Sequence, residues 1–457
     1  MRFVGILAFV FLLLARAASA QPTESESPSP SPLPAPTLPP AGIIPANIIL
    51  DVTGYPATGM DVLNEQIIAA LDRAIRPTLR PGAAIRYGPF VPWPLLPLAL
   101  GARGAVNVTV TIDGDDVTNA DVNGVTTVTV NNIVVPPAVP SVLFLSDDPE
   151  YLQTEGLVFR GNVAADRAAR LYYYQSDIGV PRDLDVVLTS AVPSRVQLID
   201  AAAGPELDVM DVGHTVSRDF LRFEHNNEGA LVDVAPGHPF IVRHALIIGG
   251  EVVAGAVDLH VLSGAVGVSV VASPAGGRPD AYLNGPRVPL DGHGRHGVFA
   301  LDGFGNIAQS YTVGGTGAAV KYGGRTVTPR NLDPGDLGRD FGDYGVVHRI
   351  AFTLVNPTDT PRLVYLYEKP LAGPVRSSFY IDGQLKDLGC VRMPQPYWIT
   401  TYQLAPHSTG VSTTVTMPDG GSFYPLEFGV SETQPLPYTP LVGTADGCSP
   451  NVTRLAQ

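Results

Sequence analysis

The sequence predicts a mainly β protein of several sandwich domains. Three observations predict it. One stretch of the chain recurs, its segments alternate apolar and polar residues, and turn-forming residues punctuate them. The stretch near residues 179–258 returns near residues 345–429, in order and nearly in step. Leu184, Val186 and Leu188 match Ile350, Phe352 and Leu354, and Pro193 matches Pro361. Ala203-Gly204-Pro205 matches Ala372-Gly373-Pro374. Ala235-Pro236 with His238 matches Ala405-Pro406 with His407, and Gly249-Gly250 matches Gly420-Gly421. Parallel landmarks separated by small loop gaps are what two copies of one domain show.

The matched segments read as strands. Arg349–Leu354 alternates cleanly, which puts alternate side chains on one face of a half-buried strand. Val355–Pro361 carries Asn356, Pro357, Asp359 and Pro361, residues that turn the chain and cannot continue a central strand. A second strand at Arg362–Tyr367 makes a hairpin the expected local fold. Several short strands at regular spacing in each copy are the pattern of an immunoglobulin-like or fibronectin-like β-sandwich, with an up-and-down barrel as the alternative.

The elements follow in order. Residues 1–20 read as a secretory signal peptide: Arg2 is its positive start, Phe3–Leu14 its apolar run and Ala18-Ser19-Ala20 its small-residue cleavage site. The apolar run is short for a bilayer span, so the mature chain is expected to be secreted or periplasmic, with no integral membrane segment once the signal is removed. Residues 21–41 form a Pro/Ser-rich linker of extended, polyproline character. Residues 42–140 form an N-terminal β-rich part with one helix at Asp61–Ile75, where Leu63, Ile67, Leu71 and Ile75 make a stripe at i, i+4 spacing and Pro77 ends it. Phe90–Leu100, broken by Pro92, Pro94 and Pro97, reads as a packed crossover loop. Copy 1 of the sandwich spans 141–270 and copy 2 spans 345–435. Between them, 271–344 is a Gly-rich insert of irregular β structure, and 436–457 is a tail.

The charge is −14, with 29 Lys and Arg against 43 Asp and Glu. Such a chain repels phosphate backbones, which excludes nucleic acid as an expected partner. Lys is nearly absent, with Lys321, Lys369 and Lys386 its occurrences. The skew towards Arg reads as a GC-rich, bacterial genome. The two cysteines, Cys390 and Cys448, are expected to form a disulfide in an exported chain.

Two clusters suit metal ions. Asp113, Asp115 and Asp116 sit in a turn rich in oxygen ligands and raise Ca²⁺ as the one candidate cofactor, beside a reading as plain solvated turns. Asp291, His293 and His296 place a carboxylate and two imidazoles in a glycine-flanked loop that suits Zn²⁺ or Cu²⁺, although Arg295 beside them opposes a cation. Tyr172-Tyr173-Tyr174 puts rings on both faces of a strand, which reads as core packing with ordinary edge exposure; an exposed outward ring would instead stack on a sugar or a partner's side chain. No GxSxG elbow, HExxH helix or GxxxxGK[ST] loop is present, so no catalytic residue is assigned.

Tyr344-Gly345-Val346-Val347-His348-Arg349-Ile350, Asn356-Pro357 and Met417-Pro418-Asp419-Gly420-Gly421-Ser422 resemble an uncharacterised family of exported bacterial all-β proteins. The resemblance spans about 141–435 and implies the fold without an activity. The reading is therefore a non-enzymatic binding or structural module of the bacterial cell surface or periplasm, with a protein or glycan at the cell surface as its partner. The alternatives are a secreted hydrolase acting on glycans and a calcium-stabilised adhesin. Convergence separates them: an enzyme gathers two or three titratable groups in one pocket, and a binding module shows an exposed aromatic or loop-rich face.

Overall fold

A computed structural model describes residues 38–91, 97–115, 117–333, 335–438 and Cys448. The signal peptide, residues 21–37 of the linker, the centre of the Pro-rich loop, Asp116 and the tail apart from 436–438 and Cys448 lie outside the described residues. The described fold is mainly β, with two α-helices, α1 (Met60–Ile75) and α2 (Val209–His225). No helix among the described residues is long and apolar enough to cross a membrane.

The largest sheet runs His296–Ala300, Val142–Ser146, Arg167–Asp177, Val252–Ser263, Ser194–Glu206, Gly229–Val234, Asn47–Thr53, Val122–Asn132, Arg103–Asp113, Ala84–Val91. The N-terminal part joins the first copy by continuous pairing, with Asp51 opposite Leu231 and Thr53 opposite Gly229. α1 lies on this extension and buries Leu63, Ile67, Leu71 and Ile75 against Val106, Val108, Val110 and Val128. The apolar stripe read from the sequence is the buried one. A four-stranded sheet, Phe240–Ile247, Arg182–Thr189, Val266–Pro274, Gly156–Val163, packs on the other half. Leu184, Val186, Leu188, Val196, Leu198, Val257 and Leu259 fill the core between them.

The C-terminal body is a second two-layer structure. One layer is Asn306–Thr312, His348–Asn356, Ser408–Thr416, Val375–Ile381, Gln384–Val391; the other is Ala318–Tyr322, Leu426–Ser431, Arg362–Pro370, Tyr397–Leu404. Phe352, Phe379 and Phe428 stack at its centre, with ring centroids 5.4 Å apart for Phe379 and Phe428. The Gly-rich segment 271–344 supplies strands to both bodies: His296–Ala300 pairs with Val142–Ser146, and Asn306–Thr312 with His348–Asn356.

The recurrence in sequence has a counterpart in strand pairing. Arg182–Thr189 pairs with Phe240–Ile247, as His348–Asn356 pairs with Ser408–Thr416. Ser194–Glu206 pairs with Gly229–Val234 and Val252–Ser263, as Arg362–Pro370 pairs with Tyr397–Leu404 and Leu426–Ser431. The expected hairpin across Val355–Pro361 is absent, because its two strands belong to opposite sheets. Buried Asn356 holds this corner: its Nδ2 donates to the carbonyls of Thr360, Leu404 and Ala405, and its Oδ1 accepts from the backbone N–H and hydroxyl of Thr358. His407 stands at positive φ after the matching Ala-Pro and pairs with Asp359 at 2.8 Å.

The two recurring stretches differ after the Ala-Gly-Pro landmark. The first inserts α2, where the second places the strand pair Val375–Ile381 and Gln384–Val391. The one helix expected in the N-terminal part is α1; α2 lies outside that part and was not read from the sequence. Asp208 caps it, accepting from the N–H groups of Met210 and Asp211, and Val212, Val216 and Phe220 form its buried stripe. α2 is wedged between the two bodies. Gly213 is obligatory there, because a Cβ would stand 1.9 Å from the carbonyl oxygen of Gly420. Tyr172, Tyr173 and Tyr174 are all buried, since their strand is covered on both faces. The sugar-stacking alternative for them is thereby withdrawn.

One core position breaks the apolar pattern. Glu368 points into the C-terminal body, fully buried, and neither carboxylate oxygen has a well-placed hydrogen-bond partner. Burial pushes its carboxyl up to about 8, against the lowering influence of Ser377. A carboxyl raised from about 4.3 in the unfolded chain gives full stability below that pH, and the contribution is lost as pH rises through the folded value. Glu368→Gln is therefore expected to raise stability at pH 8.5 by on the order of 3 kcal/mol and to change little at pH 4.5. Thermal melts at the two pH values check this, and an equal shift at both would reject it.

Candidate functional site

Most of the described carboxylates and imidazoles of the two proposed metal clusters are engaged by neighbouring protein groups. Asp113 is bonded to Arg86, with Nε to Oδ2 at 2.6 Å. Asp115 accepts from the backbone N–H groups of Val117, Thr118 and Asn119 and from the Thr118 hydroxyl, which hold its carboxyl well below the usual range. Asp116 lies outside the described residues. Asp291 and His293 do meet, with Oδ1 and Nδ1 2.6 Å apart. The other Asp291 oxygen accepts from the N–H groups of Glu150 and Tyr151. His296 turns away to Asp336, at 2.7 Å, and Arg295 pairs with Asp147 and Glu150. This loop laces 147–151 to 291–296. Among the described residues, no three His, Cys, Asp or Glu side chains converge as a metal would need. Cys390 and Cys448 are joined in a disulfide.

Two cavities among the described residues, each of about 220 Å³, are candidate sites. One, at the junction of the bodies, is lined by Arg170, Asp302, Phe304, Asn306, Val347 and Arg349. Its cations are already spent: Arg170 forks onto Asp258 at 2.6 and 2.9 Å, and Arg349 pairs with Glu224.

The other is an open groove on the outer face of the sheet Ala318–Tyr322, Leu426–Ser431, Arg362–Pro370, Tyr397–Leu404. Period two creates it. Val364 and Leu366 point into the core, so Tyr365, Tyr367 and Lys369 point out. Gly429 lies opposite Tyr367 on the next strand and has no side chain there; a Cβ would stand 2.6 Å from the phenol ring. The Tyr367 ring therefore lies along the sheet. Trp398 is its register partner on the other side, 38% exposed, and its indole N–H donates to Thr401 at 2.9 Å. Across three strands, Lys369, Glu427 and Lys321 occupy one row. The Tyr367 hydroxyl donates to Glu427 at 3.1 Å. Burial, with the Glu427 charge and this bond, raises the phenol, so it stays a donor. Pro396, Thr433 and Pro435 form the rim.

The arrangement offers aromatic surface in the plane of a sheet, with one carboxylate and two ammonium groups beside it. That suits a ligand with apolar faces and polar edges. No sequence motif marked this face.

No protein-family model matches the sequence, and no curated protein matches it. Among solved structures, the chain is similar to the M60 catalytic domain with the CBM51-1 and CBM51-2 domains from Clostridium perfringens ZmpB. That likeness has TM-score 0.17 and 9% identity, and covers 85% of this chain and 46% of the other. It is also similar to the PBSX exported protein XepA, at TM-score 0.15 and 13% identity, over 61% of this chain and 86% of that one. A third is the CBM22-1–CBM22-2 tandem domain from Paenibacillus barcinonensis Xyn10C, at TM-score 0.13 and 9% identity, over 78% of this chain and 85% of that one. This chain thus spans less than half the length of the first. At these TM-scores the likenesses assign no role to any groove residue.

Proposed function

We propose that the protein is an exported, non-enzymatic glycan-binding module of the bacterial cell surface or periplasm, carried on two tandem immunoglobulin-like or fibronectin-like sandwiches. The observation that carries this reading is the groove beside Tyr367 and Trp398. A pyranose ring has an apolar face for the aromatic rings and hydroxyl edges for Glu427, Lys369 and Thr433. The rival hydrolase reading calls for two carboxyl groups, about 5–9.5 Å apart across a glycosidic bond. The groove lining supplies one, Glu427. The calcium reading has less support, because the Asp113 and Asp115 oxygens are engaged by Arg86 and by their own turn.

A broad glycan array with the mature protein tests the proposal. Tyr367→Ala and Trp398→Ala are each expected to weaken the selected glycan about tenfold, the loss of roughly one aromatic contact of about 1.4 kcal/mol. Retained affinity in both variants, or a blank array, would reject the groove as a glycan site. Release of new reducing ends from a bound glycan would favour the hydrolase.

A further inference from the structure

We propose that the groove selects an anionic glycan, one whose sugar residues each carry a single carboxylate; this rests on the glycan-binding reading above. The chain is acidic overall, with 43 Asp and Glu against 29 Lys and Arg. Lysine occurs only as Lys321, Lys369 and Lys386. Two of these lie on this face, on different strands, in one row on either side of Glu427. Lys321 holds its ammonium 3.9 Å from Glu427 and is 66% exposed. Lys369 lines the groove and makes no ion pair among the described residues. A general surface charge would not concentrate this way.

The local balance sets the ligand's charge. Two ammonium groups and one carboxylate leave a single net positive charge. A uronate residue, with one carboxylate, matches it. A densely sulfated chain would bring several negative charges against Glu427 and against an acidic protein, which opposes its approach. The Tyr367 bond to Glu427 fixes that carboxylate beside the ring, so Lys369 remains the cation open to a ligand. The ring of the uronate would rest on Tyr367 and Trp398 while its carboxylate reaches Lys369.

The test titrates the full mature protein with galacturonate oligomers, with neutral galactose oligomers of the same linkage and length, and with sulfated galactose oligomers, at low and moderate salt. The uronates are expected to bind at least tenfold better than the neutral oligomers. Lys369→Ala should remove that preference, Lys369→Glu should reverse it, and salt should weaken uronate binding alone. Lys321→Ala, at an exposed position, should give a smaller loss with the fold intact. Equal binding of neutral and uronate oligomers, unchanged by Lys369→Ala, would overturn the anionic selection and leave the glycan reading standing. Preference for the sulfated oligomers would overturn the carboxylate assignment. Binding of none, with a blank glycan array, would remove the glycan reading itself.

Discussion

Replacing His214 by Ala is expected to destabilise the protein by about 3–5 kcal/mol at pH 7, because it leaves a buried carboxylate without its partner. His214 projects from α2 to the C-terminal body. Its Nδ1 lies 2.6 Å from Asp419 and its Nε2 lies 2.8 Å from Asp387. The Asp419 side chain is fully buried, while Asp387 is 43% exposed and adds less. Burial alone would lower the imidazole. The charge of Asp419 and the hydrogen bonds that the imidazolium donates to both carboxylates outweigh it and push it up to about 10. His214 is thus an imidazolium at neutral pH, and it pins α2 where Gly213 meets Gly420.

The pH dependence has a definite sign. A histidine raised above its unfolded value of about 6.5 contributes its full stability below that pH and loses it as pH rises through the folded value. The wild type should therefore lose stability between about pH 6.5 and 10 through this group, and His214→Ala should lack that component. His214→Asn keeps a hydrogen bond without the charge and is expected to fall between them. Differential scanning calorimetry at pH 7 and 10 reads both effects. A His214→Ala protein that melts within about 2 °C of the wild type at pH 7 would sink the argument, since the expected loss corresponds to roughly 10 °C.

Much of the local structure was legible in the sequence, and the reason differs from element to element. α1 was readable because Leu63, Ile67, Leu71 and Ile75 repeat at helical spacing and Pro77 follows. α2 carries a comparable stripe in Val212, Val216 and Phe220 after a capping Asp208. Gly213 and the β-branched Val and Thr residues lower its intrinsic propensity, and packing between two bodies supplies the rest. Period two identified the strand at Arg349–Leu354 and its buried residues. Alternation is silent on which sheet a strand joins, so the corner at Asn356 passed for a hairpin. Tyr172–Tyr174 left core packing and sugar stacking both open for a related reason: burial of both faces depends on layers supplied by residues far along the chain, and core packing is what the structure shows.

The candidate site was less legible because it is made of rows across strands, and rows are invisible along the chain. Lys321, Lys369 and Glu427 become neighbours only through pairing. The usable signal is the rarity of lysine in the composition, which a genomic bias towards Arg also accounts for. Two rare cations, each on an outward strand position, one in the Gly-rich insert and one in the second copy, are the sharper clue.

Removing the disulfide with Cys390→Ala and Cys448→Ala is expected to cost about 4 kcal/mol, from the 58-residue separation it closes. The bridge ties the strand Gln384–Val391 to a buried Cys448 far beyond the last described strand. Without it the unfolded chain gains the freedom of that loop, and the melting temperature should fall by roughly 10 °C. Ligand affinity at 25 °C should hardly change. The rim of the groove is fixed by its own backbone bonds, from Trp398 N–H to the Leu436 carbonyl at 2.8 Å and from Leu436 N–H to the Pro396 carbonyl at 3.1 Å. Alanine is the better replacement, because a serine hydroxyl at buried position 448 would add the cost of an unpaired polar group. Calorimetry with and without reductant separates the two effects: reductant should lower the wild-type melt to that of the double variant and leave the variant unmoved. A variant that melts with the wild type would show that the bridge constrains nothing, and one that folds normally but loses the glycan would show that it shapes the groove.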